Sequence, residues 1–562
     1  AVIPAADLDA GKLKFVPTAN ANGNVSFNFK VRDAELSSNV AAMTLAVAAV
    51  QDAPVAKTST VTAQMGKTYA FAVKDFGFQD VDSGDSLQSV KIVSLPDKGN
   101  MLLNGAAVTA GTVVSKANLD AGKLTYTQTW PEPSSFSFSV NDGHDDSKEG
   151  AMMNISVKSS LLAVSKHPNG FFVNGNSFDP DMSNDGRFVV FQSDAPGLSA
   201  NSTAYDGIYL HDVLLGTTTL ISAPASGHRA VGSSANPTIS ANGERVLFAS
   251  VRNDLVEGDT NNTTDVFMYN NATHSLVRVS ESPSHVQADG ASTVGMISGN
   301  GKFAVFSSIA SNLLGSNSPT NVSLAYLKDL DSGGVLRLSN GIAGGSVDAS
   351  CDHVVVSYDG SVAAFDSDAT NLVQNDPNAK TDVFVWKNSK ISLASCNKDG
   401  VIGNGSSRVP LLTDNGEKVA FSSYASNLIG SDNNGNMDVF IKNLVSGEVL
   451  RVSESSSGQE ATGASTLLSV SADGRYVAFA STATNLVTGD TNGKMDIFVK
   501  DMITKALVCI SVNDAGVQGN GDSQYADLSG DGAFIAFSSS ASNLVSGDTN
   551  GSADVFWGAW GS

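Results

Sequence analysis

Cysteine is scarce: Cys351, Cys396 and Cys509 are the only three in 562 residues. So few exclude a disulfide-scaffolded fold and a cysteine-ligated metal site, both of which need paired spacings. No run of 18 apolar residues occurs, which excludes a membrane-spanning helix. Charged residues make up 16% of the chain, against a usual share of about 25%. Those present lean one way, 56 acidic against 34 basic, for a formal net charge of −22. Such a surface repels nucleic acid and anionic membranes, so neither is an expected partner. Catalytic signatures are missing as well. The seven histidines, His144, His167, His211, His228, His274, His285 and His353, form no His-Glu-x-x-His motif, and there is no nucleophile elbow, phosphate loop or dinucleotide fingerprint.

What the chain does have is repetition. From residue 161 to 562 an Asp-Gly or Asn-Gly type turn recurs, with glycines at 186, 243, 301, 360, 416, 474 and 532, spaced by 57, 58, 59, 56, 58 and 58. A phenylalanine follows each glycine by five positions, and a second aromatic comes later in every copy: Phe191 with Tyr209, Phe248 with Phe267, Phe306 with Tyr326, Phe365 with Phe384, Phe421 with Phe440, Phe479 with Phe498, Phe537 with Phe556. A steady period of strand-like runs without a helical pattern predicts a ring or stack of β-sheets whose aromatics form the core between neighbours.

The copy at 465–512 divides into four strands, Leu467 to Ser471, Arg475 to Ser481, Asp496 to Asp501 and Leu507 to Val512. The last copy stops after Phe556, while 161–186 aligns without a gap onto 507–532. Residues 161–166 are therefore expected to supply the missing outer strand and close seven blades, which removes open sheet edges. The run Ser471 to Phe479 followed by Asp496-Ile497-Phe498-Val499 resembles the TolB-like β-propeller repeat family. The resemblance implies fold for 160–562 and says little about activity.

The first 158 residues carry a different repeat. Leu8 to Leu13 returns as Leu119 to Leu124, offset by 111, and each copy continues into an alternating strand, Val25 to Val31 and Ser135 to Val140. This predicts a β-sandwich module at 53–159, preceded at 1–52 by the back half of another. The motifs around Asp52-Ala53-Pro54, Asp80 to Asp85 and Asn141-Asp142-Gly143 resemble the cadherin-like tandem repeats of very large bacterial surface and secreted proteins. On that resemblance the chain is expected to begin inside a longer, extracellular polypeptide.

Two groups of oxygen-bearing residues are candidate Ca²⁺ ligands. The first is Asp80, Asp82 and Asp85 with Asp52 and Asp142, where the resembling repeats commonly hold calcium. The second is the loop between second and third strands of the blades: Asp259, Asn261 and Asp265; Asp376, Asn378 and Asp382; Asp432, Asn434 and Asp438; Asp490, Asn492 and Asp496; Asp548, Asn550 and Asp554. Oxygens at positions 1, 3 and 7 of a tight loop supply part of the six to eight that Ca²⁺ takes. The same residues are also ordinary turn formers that bond their own backbone.

Long loops on a rigid scaffold carry function, so His228, Arg229, His285, Asn404, Asn520 and Asp522, between blades, are candidate ligand contacts. Asp352, His353 and Tyr358 lie close enough in sequence to serve a polysaccharide lyase, although strand alternation would put His353 and Tyr358 on opposite faces. Cys351 replaces a serine found in the other six copies, and a bridge to Cys396 is conceivable. The expected function is a non-enzymatic adhesion module, with cadherin-like spacers and a propeller that binds a glycan or surface protein. A structural subunit of a filament or surface layer, pairing with further copies of itself, and an extracellular polysaccharide-degrading enzyme are the alternatives.

Overall fold

The computed structural model describes residues 1–65, 67–128, 133–158, 161–199, 206–223, 232–315, 322–430 and 432–560. The chain divides into two units, 1–158 and 159–562.

In the first unit the strands Val113–Ser115, Ser89–Ile92, Ser134–Asn141, Ala151–Lys158 and Ser59–Gln64 form one sheet in that order, and Tyr69–Ala70, Leu124–Thr127, Asn100–Leu103 and Ala106–Ala107 form another. Strand Ser134–Asn141 buries every second residue, as a half-covered strand should. Its Phe136, Phe138 and Val140 join Phe71, Phe76, Val90, Ile92 and Tyr126 in one core. The offset of 111 seen in sequence reappears as structure. Helix Ala5–Asp9 and strands Gly23–Phe29 and Ala41–Val47 precede helix Lys116–Asp120 and strands Ser134–Asn141 and Ala151–Lys158 by that distance, give or take a residue at the ends. Yet among the described residues Gly23–Phe29 pairs only with Ala41–Val47, and Phe27, the counterpart of fully buried Phe138, is 41% exposed.

Among the described residues the second unit contains seven four-stranded antiparallel sheets in chain order. In the copy used above they are Ser465–Val470, Tyr476–Ser481, Asp496–Asp501 and Leu507–Cys509. The second strand of each sheet is buried along almost its whole length, because neighbouring sheets cover both faces. That is why it reads as a continuous apolar run and not as an alternation. The repeated rings are cross-strand partners, Phe479 opposite Phe498 and Phe365 opposite Phe384 for example, with centroids 5.6 and 5.9 Å apart.

Each inner strand lies against the next, Ser177–Met182 against Ser523–Leu528 included. At the hairpin end a closed circuit of backbone bonds joins all seven sheets: Asn184 N to Ala241 O, Ala241 N to Gly299 O, Asn300 N to Tyr358 O, Tyr358 N to Asp414 O, Asp414 N to Ala472 O, Ala472 N to Gly530 O, and Gly530 N to Asn184 O. The last sheet takes its outer strand from Leu162–Ala163, which pairs with Trp557 and Phe556. The architecture is a β-propeller.

Turn chemistry explains the regularity of the hairpins. Ser471 Oγ donates to Asp473 Oδ1 and accepts from Tyr476 N, while Asp473 Oδ1 accepts from Arg475 N. Gly474 adopts φ 68°, a conformation that costs a glycine little. At Gly243, φ 72°, a Cβ would also run into the Phe188 ring of the preceding sheet. The inner strands carry a register shift in every sheet, as between Asp352 and Val355. All three cysteines are free, so the conceivable bridge between Cys351 and Cys396 is not formed. Cys351 packs 3.6 Å from Ser367 Oγ, where the equivalent Ser465 bonds Ser481.

Candidate calcium site and loop residues

The acidic cluster of the first unit forms where the loop after strand Gly77–Gln79 meets the turn after Ser134–Asn141. One oxygen from each of Asp80, Asp82 and Asp85 lies within 4.8 Å of the others, and one ligand atom from each of Asp85, Asp142 and His144 does the same. Oxygens sharing a Ca²⁺ at about 2.3–2.6 Å reach similar separations. Asp80 Oδ1 accepts Asp82 N at 2.8 Å, and Asp82 Oδ2 accepts Asp52 N at 2.7 Å. Asp52 therefore enters through its backbone amide, where the sequence suggested its carboxylate.

Asp142 has a fully buried side chain. Burial works to raise its pKa, and the backbone N–H bonds of Asp145 and His144 to Oδ1 more than offset this and hold it below the usual carboxylate range. Its Oδ2 and that of Asp80 are buried with no hydrogen-bond partner. A desolvated anionic oxygen without a donor is costly, and a hard cation is the kind of partner that satisfies it.

The blade loops have a different logic. In all five, the Asn amide nitrogen donates to the Asp four residues on: Asn261 to Asp265, Asn378 to Asp382, Asn434 to Asp438 and Asn492 to Asp496 at 2.8 Å, and Asn550 to Asp554 at 3.0 Å. The same nitrogen donates to a backbone carbonyl of the following between-sheet loop, Gly519 O in the case of Asn492. The second Asp oxygen accepts a serine hydroxyl, from Ser280, Ser395, Ser453, Ser511 and Ser165 respectively. These aspartates are buried, and burial pushes Asp382 and Asp554 up to about 6. Positions 3 and 7 thus bond each other, a serine and nearby backbone, as the turn-forming reading of the pattern expects.

Position 1 is not free in every loop either. Asp259 accepts from Gln287 at 2.7 Å and has Arg278 3.9 Å away, and burial raises the pKa of Asp432 although the charge of Arg451 works against it. Asp490 and Asp548 are buried, as is Asp376, whose Oδ1 has no partner.

Three of the four described between-sheet candidates are latches as well. Asn404 uses N, Nδ2 and Oδ1 on Asn427 and Ser426, and Asn520 repeats this with Asn543 and Ser542. Asp522 Oδ1 accepts Met495 N. His285 bonds Glu281 at 2.7 Å and is largely exposed. His228 and Arg229 lie outside the described residues.

The propeller's central channel is a cavity of about 520 Å³ lined by the inner strands. His353 and Tyr358 both line it, contrary to the alternation argument, because the register shift between Asp352 and Val355 resets the strand. His353 sits at the register shift of the strand, and Tyr358 lies in the turn that follows it. His353 Nδ1 bonds Asp366 at 2.9 Å, and that bond raises its pKa. Across the channel Asp181 and Asp527 both accept Met182 N at 2.9 Å. Burial raises both, Asp181 furthest because Asp527 also repels its charge. The two residues are far apart in sequence, so only ring closure brings them together.

Among solved structures the chain is similar to a putative TolB from Agrobacterium tumefaciens, at 15% identity and a TM-score of 0.32 over 52% of this chain and 88% of that one. It is also similar to the WD40 repeats of RRP9, at 10% identity and a TM-score of 0.35 over 71% and 97%. A puromycin-hydrolyzing peptidase of Mycobacterium tuberculosis matches at 13% identity and a TM-score of 0.38 over 68% of this chain and 52% of that one. Scores this low carry no argument, and the propeller assignment rests on strand order and the closed circuit of bonds. No curated protein matches the chain in sequence. Residues 54–157 match the family model described as Cadherin-like, and that segment is a cadherin-like domain.

Proposed function

We propose that the chain is a non-enzymatic module of a secreted or surface-attached bacterial protein, in which Ca²⁺ braces the cadherin-like domain and the propeller offers its loops to a glycan or protein partner. The observation that carries the calcium part is the pair of buried, donorless oxygens on Asp80 and Asp142. Asp80, Asp82, Asp85 and Asp142 would hold the ion, whose charge offsets their mutual repulsion. Binding to the folded state alone adds about 2.7 kcal/mol of stability at a hundredfold excess over Kd. Chelator should therefore lower the melting midpoint of the 53–158 domain by several degrees, and Asp142→Ala should abolish both the difference and calorimetric Ca²⁺ binding. Superimposable melts with and without Ca²⁺ would refute the calcium reading.

The non-enzymatic part rests on the sequence, in which no catalytic constellation breaks the sevenfold pattern. Incubated with a polysaccharide panel, the protein should release no reducing ends or unsaturated sugars while retaining some members on a glycan array. Turnover lost in His353→Ala would reverse that reading.

A further inference from the structure

Three sheets of the propeller clamp their predecessor with a lysine at one position, the fifth residue of strands Leu324–Asp329, Asp438–Asn443 and Asp496–Asp501. Lys328, Lys442 and Lys500 are buried, at 4%, 6% and 0% exposure. Each ammonium reaches back to carbonyls of the preceding sheet. Lys328 donates to Val279 O and Glu281 O, Lys442 to Ala394 O and Cys396 O, and Lys500 to Glu454 O and Ser455 O.

Glu281, Cys396 and Glu454 occupy one repeat position, each bridging to the residue six further on. In two clamps that position supplies a carboxylate, 3.3 Å from Lys328 and 3.9 Å from Lys500. In the third it supplies a thiol, and among the described residues Lys442 forms no ion pair. A buried lysine without a counter-charge is costly. Lys442 Nζ instead lies 2.8 Å from Cys396 Sγ. That is the length of an N–H···O bond, although sulfur is the larger atom, so the two atoms already lie close to the reach of a link through one oxygen.

We propose that Cys396 and Lys442 are an oxidative crosslinking site, closed by peroxide into an N–O–S link that staples two neighbouring sheets. The thiol is first oxidised to a sulfenic acid, with one water released. The lysine gives up its extra proton to solvent and reacts as the amine. In total one thiol, one amine and two hydrogen peroxides give the S–O–NH link and three waters. S–H, one N–H and two O–O bonds break, S–O and N–O bonds form, and sulfur and nitrogen each lose two electrons. A direct S–N bond would pull the two atoms well inside their present separation, which favours the bridging oxygen. Four equivalents of added thiol reverse the reaction, returning the Cys396 thiol, the Lys442 amine and one water and leaving two disulfides of the added thiol.

The full chain would be divided into thiol-reduced and peroxide-treated samples, denatured, digested and analysed by mass spectrometry. The expected result is a joined pair of peptides carrying Cys396 and Lys442, heavier than their sum by one oxygen and lighter by two hydrogens. It should appear only after oxidation, with a melting midpoint that rises and returns on reduction. Cys396→Glu, which installs the carboxylate of the sister clamps, should fold with the reduced protein's midpoint and show neither crosslink nor peroxide-dependent rise, and Lys442→Met provides an independent loss of the link. A joined pair lacking the oxygen would identify a sulfenamide and overturn the N–O–S assignment. Peroxide treatment that leaves Cys396 as free thiol, or carries it only to sulfinic acid, would overturn the crosslink altogether.

Discussion

Asn492→Asp separates the two meanings of a blade loop. In the structure Asn492 Nδ2 donates to Asp496 Oδ2 at 2.8 Å and to Gly519 O at 3.1 Å, while Oδ1 accepts Lys494 N at 2.8 Å. A carboxylate at 492 keeps the last bond and loses both donors. Losing a hydrogen bond to a charged group costs about 1.5–3 kcal/mol, and stranding a buried carbonyl costs about 1–3 kcal/mol more. The sum, about 3–6 kcal/mol, should lower the propeller's melting midpoint by roughly 5 °C, since the shift per kcal/mol shrinks with domain size.

The loss should depend on pH. Two adjacent carboxylates raise each other's pKa, and a group whose folded pKa is raised contributes stability that is present below its unfolded pKa and lost as pH rises through the folded one. The deficit of the variant is therefore largest near pH 8 and shrinks toward pH 5, where one proton replaces the missing donor. Differential scanning calorimetry of both proteins across that range, with Ca²⁺ and with chelator, decides the matter. If the loop bound calcium, the added carboxylate would strengthen the site and Ca²⁺ would restore or exceed native stability. That result would refute the latch.

Phe479→Ala removes a ring that is fully buried and stacked on Phe498, so denaturant unfolding should report a loss of about 3–5 kcal/mol; a loss under 1 kcal/mol would mean that the rings are not the core. Native propeller stability should rise as pH falls from 7.5 to 5.5. Burial pushes Asp179, Asp382 and Asp554 up to about 6, and the bond from Asp366 raises His353, so each contributes stability at low pH that is lost as pH rises. Buried His211, pushed down to about 4, works in the opposite direction, and a midpoint that falls on acidification would show that it outweighs the others.

Sequence period alone determined the repeat, the hairpins and the partner strand for the last sheet. These follow from local rules, glycine at positive φ, apolar runs of strand length and alignable ends, and the structure places them within a few residues of where the pattern does. The same locality limited the reading of sites. Asp-x-Asn-x-x-x-Asp is one pattern with two meanings, and what decides between them is the serine at the end of the outer strand that reaches Asp265, Asp382, Asp438 and Asp496, and in the last sheet comes from Ser165 at the other end of the unit. His353 and Tyr358 were misplaced because one extra residue in an inner strand undoes a period of two.

The sequence by itself determined which residues alternate, turn and stack, because those are properties of neighbours along the chain. Only the tertiary structure decided which polar atoms are left without a partner at Asp80 and Asp142, and which carboxylates are forced together across the seam at Asp181 and Asp527. It also decided which buried lysine meets a thiol instead of a carboxylate. Desolvation and pairing depend on everything that surrounds an atom, and that is fixed only when the sheets have closed into their ring.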